Sequence, residues 1–361
     1  MADDTVMMKL RVTVACLVMA VLISVSAYGA TNVFGDYEVE TGSKTANVSI
    51  VTDVSASNGS AVKFGGTVIG ACPVSTQFAP GGPDPWGGCW AGEANTGVPD
   101  GVSLSTYNGP CTITTHNTVI NAQLITNCDR LDIRANGVRI TNSRIIGGLE
   151  ALDAPSTVYV ADSEVHGPKD AQGNPILPFR VVRAAHMTFL RSEVTGGHGT
   201  FYCELDCLLE NSIFHKQGTD WAEGGQTHFS AVRMDETLTL RHSTIICEAG
   251  RPRPGTGCSA SLTGYPDSGF GPVNNNLIER NLFIGNRGGG ATMCAYGGAT
   301  PGKPHSNDPT NATYIRFISN RFVRAGAQYC GNLGTILHFD ALRTGNQWTD
   351  NLYDTGEVVN P

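Results

Sequence analysis

The stretch HKQGTDWAEGGQTHFSAVRMDE, residues 215–236, is dense in groups able to do chemistry: His215, Lys216, Asp220, Trp221, Glu223, His228, Arg233 and Asp235. GGHGTFYCELD, just upstream, adds His198, Tyr202, Glu204 and Asp206. Arg241 and His242 follow just downstream. Two reactions on a sugar polymer suit these residue types. β-Elimination needs a base for the proton beside a uronate carboxyl, a cation for the developing charge and an acid for the leaving oxygen. His228 or His198 is the candidate base, Arg233 or Arg241 the cation and Tyr202 the acid. Hydrolysis needs two carboxylates at a defined separation, for which Glu204, Asp220 and Glu223 are the candidates. Trp221 offers a flat apolar face to a sugar ring. Lys216, Asp220, Glu223 and Arg241 are further candidate substrate contacts.

Each residue also has a plainer reading. Arg241 and His242 lie in the strand-like run LTLRHSTI and are expected to face outward as structural residues. Asp220 and Trp221 can serve only to organise a loop. Glu204 stands between Cys203 and Cys207, where a tight turn alone would explain it. His228, in a loop-like setting flanked by Thr227 and Ser230, is the better functional candidate among the histidines.

The elements that must position these groups are legible in a repeat. Seven segments share the pattern apolar–x–apolar–x–x–(Ser or Asn)–x–apolar, with the polar residue at Ser143, Ser163, Ser192, Ser212, Ser243, Asn281 and Asn320. Their separations are 20, 29, 20, 31, 38 and 39 residues. A unit near 20 residues that tolerates long insertions predicts a solenoid of strands. The insertions, at about 166–180, 216–230, 247–274 and 287–312, follow the same strand of the pattern. They are therefore expected to line one groove, a shape suited to an extended polymer.

Composition agrees. The chain has 44 glycines and only 16% charged residues, and no amphipathic helix follows the N-terminal region. A helical or doubly wound fold is thereby disfavoured. The net charge of −8, with no strong basic run, disfavours nucleic acid as a partner. Residues 1–27 read as a secretion signal: Lys9 and Arg11 precede an apolar run, and Val25-Ser26-Ala27 offers a cleavage site. The run is short for a membrane span. A secreted protein with no membrane contact after cleavage is expected, and a monomer.

Ten cysteines remain beyond the signal, an even number that suggests disulfides in an exported chain. Neighbours pair naturally as 72–89, 111–128, 203–207, 247–258 and 294–330, although sequence alone leaves the connectivity open. A zinc site at CELDC lacks the further ligands it would need.

Along the chain, 28–70 reads as a β-rich N-terminal segment or linker and 71–110, rich in Gly, Pro and Trp, as an irregular cap. The solenoid is read over 111–345, and 346–361 as a C-terminal tail covering the last coil. FGDYEVETGSKTANVSIV, within 31–70, looks like the opening strands of a carbohydrate-binding β-sandwich module, but the likeness covers only about forty residues. EANTGVPDGVSLSTYNGPCTIT, GVRITNSRI and NNLIERNLFIGN resemble the right-handed parallel β-helix proteins that bacteria export, and that likeness spans about 98–345. It implies an all-β, right-handed parallel β-helix with an irregular N-terminal cap. Polysaccharide is the implied ligand, and polysaccharide lyase is favoured over glycoside hydrolase. Non-catalytic glycan binding and a purely structural role are the alternatives.

The family's catalytic motifs mostly fail. THFSAVR keeps His228 but has Ser230-Ala231 where an Asp-Gly would stand. Gly197-His198-Gly199 matches a polygalacturonase segment without its aspartate partners. The mannuronan epimerase Asp-Pro-His-Glu motif and the glycine-rich calcium nonapeptide are absent. No cofactor is required by the sequence. A Ca2+ ion held by scattered acids is left open.

Overall fold

The structure is a computed structural model describing residues 48–52, 60–64, 72–152, 156–169, 180–218, 228–248, 257–266, 269–285 and 292–361. The chain divides into two units, Met1–Gly70 and Ala71–Pro361. In the first, Val48–Thr52 pairs antiparallel with Ser60–Phe64. Trp221, Asp220 and Glu223 lie outside the described residues, as does the signal segment.

The second unit is all-β, and no helix occurs among its described residues. One parallel sheet has 15 strands and another has 10. A single rung shows the construction. Residues 180–184 form its first face, and the chain bends at His186, whose φ of 55° is left-handed. Residues 187–190 form the second face, and Arg191 bends the chain again at φ 46°. Glu193–Thr195 is the third face. The next rung repeats this through Gly199–Glu210 and Ile213–His215, in parallel register. Such rungs stack from Ser105–Thr106 to Leu352–Tyr353. The segment read as a C-terminal tail therefore supplies the last strands, and its end folds back through an antiparallel bridge from Leu352 to Val358.

Strand alternation sends every second side chain inward, where columns of apolar residues meet. On the second face Ile140, Val160, Phe189, Leu209, Leu240, Ile278 and Phe317 stack in register, all with no exposure. Burying each such side chain contributes about 1.5–3 kcal/mol.

The repeated polar residue of the sequence sits just after the second bend, and it too points inward. Ser143, Ser163, Ser192, Ser212, Ser243, Asn281 and Asn320 have no exposed surface. The backbone N–H of each donates to the side-chain oxygen of the next: Ser163 to Ser192 Oγ at 3.0 Å, Ser192 to Ser212 Oγ at 3.1 Å, Ser243 to Asn281 Oδ1 at 2.9 Å. Each serine hydroxyl in turn donates to the carbonyl two residues earlier, as Ser192 Oγ does to Leu190 O at 2.7 Å. The residue before each is left-handed, from Asn142 to Ser319, with φ between 45° and 58°. The bend strips one N–H of its sheet partner, and the ladder satisfies it.

All five disulfides join the sequence neighbours named above. They point to an oxidising environment. No helix among the described residues is long and apolar enough to cross a membrane.

The expected single corner for insertions needs correction. Gly257–Thr263 lies inside 247–274 and Met293–Tyr296 inside 287–312, and both are first-face strands. Each rung needs a first-face strand to continue the pairing Ser230–Ala260–Met293, so these two insertions are each interrupted in sequence by a first-face strand.

Within the segment read as an irregular cap, 71–110, residues 72–98 run as a strap along the outside of the third face. Thr244 Oγ1 donates to Ala91 O at 2.6 Å, Lys216 pairs with Glu93 at 2.6 Å and Gly97 N donates to Arg191 O at 3.0 Å. His242 stacks on Trp90, with ring centroids 5.7 Å apart, and lies 2.9 Å from Asp84. Trp90 also packs with the outward apolar residues Ile213, Ile246, Leu282 and Ile284.

Asn281→Ala leaves the Ser243 N–H without its buried acceptor and is expected to cost about 1–3 kcal/mol in urea unfolding. Asn281→Ser, which restores the residue used upstream, should lose clearly less. Equal losses in the two variants would refute the ladder's role.

Candidate functional site

The outward side of the first face carries a column of polar side chains. Asp132, Glu150, Arg183, Tyr202 and Arg233 are register partners on successive strands. The register therefore brings Tyr202 and Arg233, two of the residues singled out by type, onto neighbouring strands. Glu204 joins them through Arg183, whose guanidinium lies 2.6 Å from Glu204 and 3.5 Å from Glu150.

Tyr202 and Arg233 form a buried knot with Asp235. The Tyr202 hydroxyl donates to Asp235 Oδ2 at 2.5 Å, and Gly271 N donates to the same oxygen at 3.0 Å. Arg233 Nε is 3.7 Å from Asp235 Oδ1, an oxygen with no hydrogen bond in the structure. The Arg233 guanidinium also donates to the Tyr265 carbonyl and lies over the Phe270 ring, 3.3 Å from its centroid. Burial pushes the Asp235 carboxyl up to about 6, against the opposing pull of Arg233 and the Tyr202 hydrogen bond. Burial, together with the negative charge of Asp235, raises the Tyr202 phenol well above its ordinary value. Tyr202 is thus a poor proton donor where it stands: its proton is engaged, and it is only 4% exposed. The knot's evident work is to pin the inserted segment holding Tyr265, Phe270 and Gly271 against the sheet.

Beside the knot is a cavity of about 420 Å3. Three of its lining residues are the cations Arg180, Arg233 and Lys303, and four are the aromatics Phe229, Tyr265, Phe270 and Tyr296. Ser230, Ser259, Thr263 and Thr292 add hydroxyls, and no carboxylate is among the described lining residues. Arg180 makes no ion pair with the described residues. Burial, and then the like charge of Arg233, lowers its guanidinium to about 10. A Cβ on Gly199 would stand 2.9 Å from Arg180 Nη1, so the glycine clears room for this side chain. Gly199 belongs to the segment that resembled a hydrolase motif, and here it has a packing role.

The remaining candidates are dispersed. The His198 ring packs edge-on against Phe229, with centroids 4.8 Å apart. His198 precedes Tyr202 by four residues, about 13 Å along an extended strand. The His228 backbone pairs with Gly257, five residues before Arg233, and its side chain lies outside the described atoms. Arg241 faces outward on the second face, 2.9 Å from Glu279. Lys216 stands on the third face, held by Glu93 of the strap. No group of three or more His, Cys, Asp or Glu suited to a metal occurs among the described residues.

Arg180, Lys303, Tyr265, Phe270 and Tyr296 escaped the sequence reading. They come from separate rungs and insertions, with no shared motif. For Arg180 the one available signal was its place in the strand-like run RVVRAAHMTFL, a rung before a glycine.

No known protein family, curated protein or solved structure matches the chain.

Asp235 binds its proton more tightly in the folded chain than in the unfolded one. Its ionisation therefore opposes folding above the folded value and not below the unfolded one. Relative to Asp235→Asn, the native protein should lose on the order of 3 kcal/mol of stability as pH rises from about 4 to 7. Urea unfolding of both proteins across that range measures the difference, and a constant difference would contradict the assigned burial.

Proposed function

We propose that the chain is a secreted right-handed parallel β-helix protein that binds an acidic polysaccharide along its first face. Three faces of parallel strands, each strand pairing with its counterpart on the next rung, support a closed coil. Five disulfides support export.

The cavity carries the functional reading. Arg180 lies in a buried site beside Arg233 and Lys303; Asp235 of the knot faces Arg233, while no described carboxylate pairs with Arg180. An anionic group entering the site offsets the mutual repulsion of the two arginines. Aromatic walls add faces on which the C–H surface of a pyranose can stack. A uronate residue presents both features at once. The inserted residues Tyr265, Phe270 and Lys303 wall the cavity, and neighbouring sugars of the same polymer would continue along the face.

Binding is better supported than elimination. The phenol suited to donate a proton is engaged by Asp235, and neither candidate histidine is among the described residues lining the cavity. Elimination requires His228 to reach the same sugar as Arg233.

Polygalacturonate, alginate and hyaluronan are the test ligands, beside fully methyl-esterified pectin as the neutral control. The acidic polymers should bind more tightly, and added salt should weaken them. Arg180→Gln should reduce their affinity about tenfold or more, the weight of a charge-assisted hydrogen bond. Equal binding of esterified and free pectin would overturn the proposal. Absorbance from unsaturated products, read in the same samples, reports any lyase activity, and His228→Ala should abolish it.

A further inference from the structure

A second concavity, of about 810 Å3, lies on a different face from the cationic cavity. It runs across five successive rungs of the second face. Its floor is the outward column Arg139, Tyr159, Thr188, Leu208 and Thr239, which are register partners on neighbouring strands. Its wall is the row of residues two positions earlier in the chain, at the bend from the first face. Thr157, His186, Asp206 and Thr237 belong to that wall.

We infer that this trough is a separate binding site for an extended, uncharged polysaccharide lying along the stacking direction. The charges support a neutral ligand. Asp206 lies 2.9 Å from His186, and Arg241, at the trough's edge, pairs with Glu279. Arg139 lies over the Tyr159 ring, 4.2 Å from its centroid, which makes a broad platform of guanidinium and phenol. This balance contrasts with the first-face cavity, where Arg180 has no carboxylate partner among the described residues.

The side-chain chemistry selects a hydroxyl-rich polymer. Threonine hydroxyls recur on alternate rungs and exchange hydrogen bonds readily with sugar hydroxyls. Tyr159 and Leu208 offer apolar surface between them for ring C–H faces. A peptide strand is a poor occupant, because the second-face strands already pair on both sides and leave no sheet edge to extend. Nucleic acid would require a run of cations that the trough lacks. The geometry selects length. Rungs repeat about every 4.8 Å, so five of them span about 19 Å, room for a short run of pyranose units in extended form.

Cellohexaose, mannohexaose and xylohexaose are suitable probes, titrated calorimetrically against the full chain. At least one should bind, with an affinity that rises from the dimer to about the tetramer or pentamer and then levels off. Salt should leave it nearly unchanged. Tyr159→Ala should weaken binding about tenfold. Thr188→Lys, which fills the trough without touching the core, should abolish it, and its circular dichroism should match the native protein. Arg180→Gln should have no effect on these ligands, which separates this site from the acidic-polymer cavity. The inference fails if none of the three hexaoses binds at millimolar concentration. It fails equally if binding survives both trough substitutions, or if Arg180→Gln removes it.

Discussion

Every turn from the second face into the third leaves a backbone N–H pointing into an apolar interior. Such a group costs about 1–3 kcal/mol if nothing accepts it. The chain meets this cost rung by rung with one inward serine or asparagine, whose oxygen accepts from the rung before. Ser163, Ser192, Ser212, Asn281 and Asn320 are links in the same ladder. Serine fills the early rungs and asparagine the later ones. Asparagine adds a donor: Asn281 Nδ2 reaches Leu240 O at 2.8 Å, and Asn320 Nδ2 reaches Ile278 O at 2.9 Å. With this corner held to strict geometry, the other corners are free to accept insertions of very different lengths.

That division of labour gives three unlike surfaces. The third face is covered by the 72–98 strap, which buries its outward apolar residues against Trp90. The first face, walled by inserted residues, concentrates arginine and aromatic side chains around one cavity. The second face stays open from Arg139 to Thr239, so its side chains form rows along a trough. Position along the rung therefore decides what a residue does. Arg233 and Arg241 are eight residues apart in one strand, yet one is buried in a knot with Asp235 and the other is an exposed partner of Glu279.

The ladder was legible in the sequence because its physics is local: a small polar residue must recur where the bend recurs. The disulfides were legible for a similar reason, since each joins cysteines that are neighbours in sequence. Tyr202 and Arg233 stood out by residue type, but their adjacency depends on rung length, and nothing in the sequence showed that the Tyr202 hydroxyl is held by Asp235. The cavity's other walls were not legible. Phe270 and Lys303 sit in insertions that follow no period. The strap was hidden for the same reason: its Gly- and Pro-rich sequence has no alternation, and its anchors are distant in the chain.

Those anchors bear on the order of assembly. Asp84 meets its partner His242 across 158 residues, Ala91 meets Thr244 across 153 and Glu93 meets Lys216 across 123. The rungs need only their nearest neighbours to form. The strap needs most of the stack to exist before it has a surface to lie on. As the chain emerges amino end first, residues 72–98 must wait, undocked, until the rungs carrying Lys216, His242 and Thr244 are in place. The stretch made before any of the rungs is thus the one that finishes the molecule, and its docking marks the arrival of a completed stack.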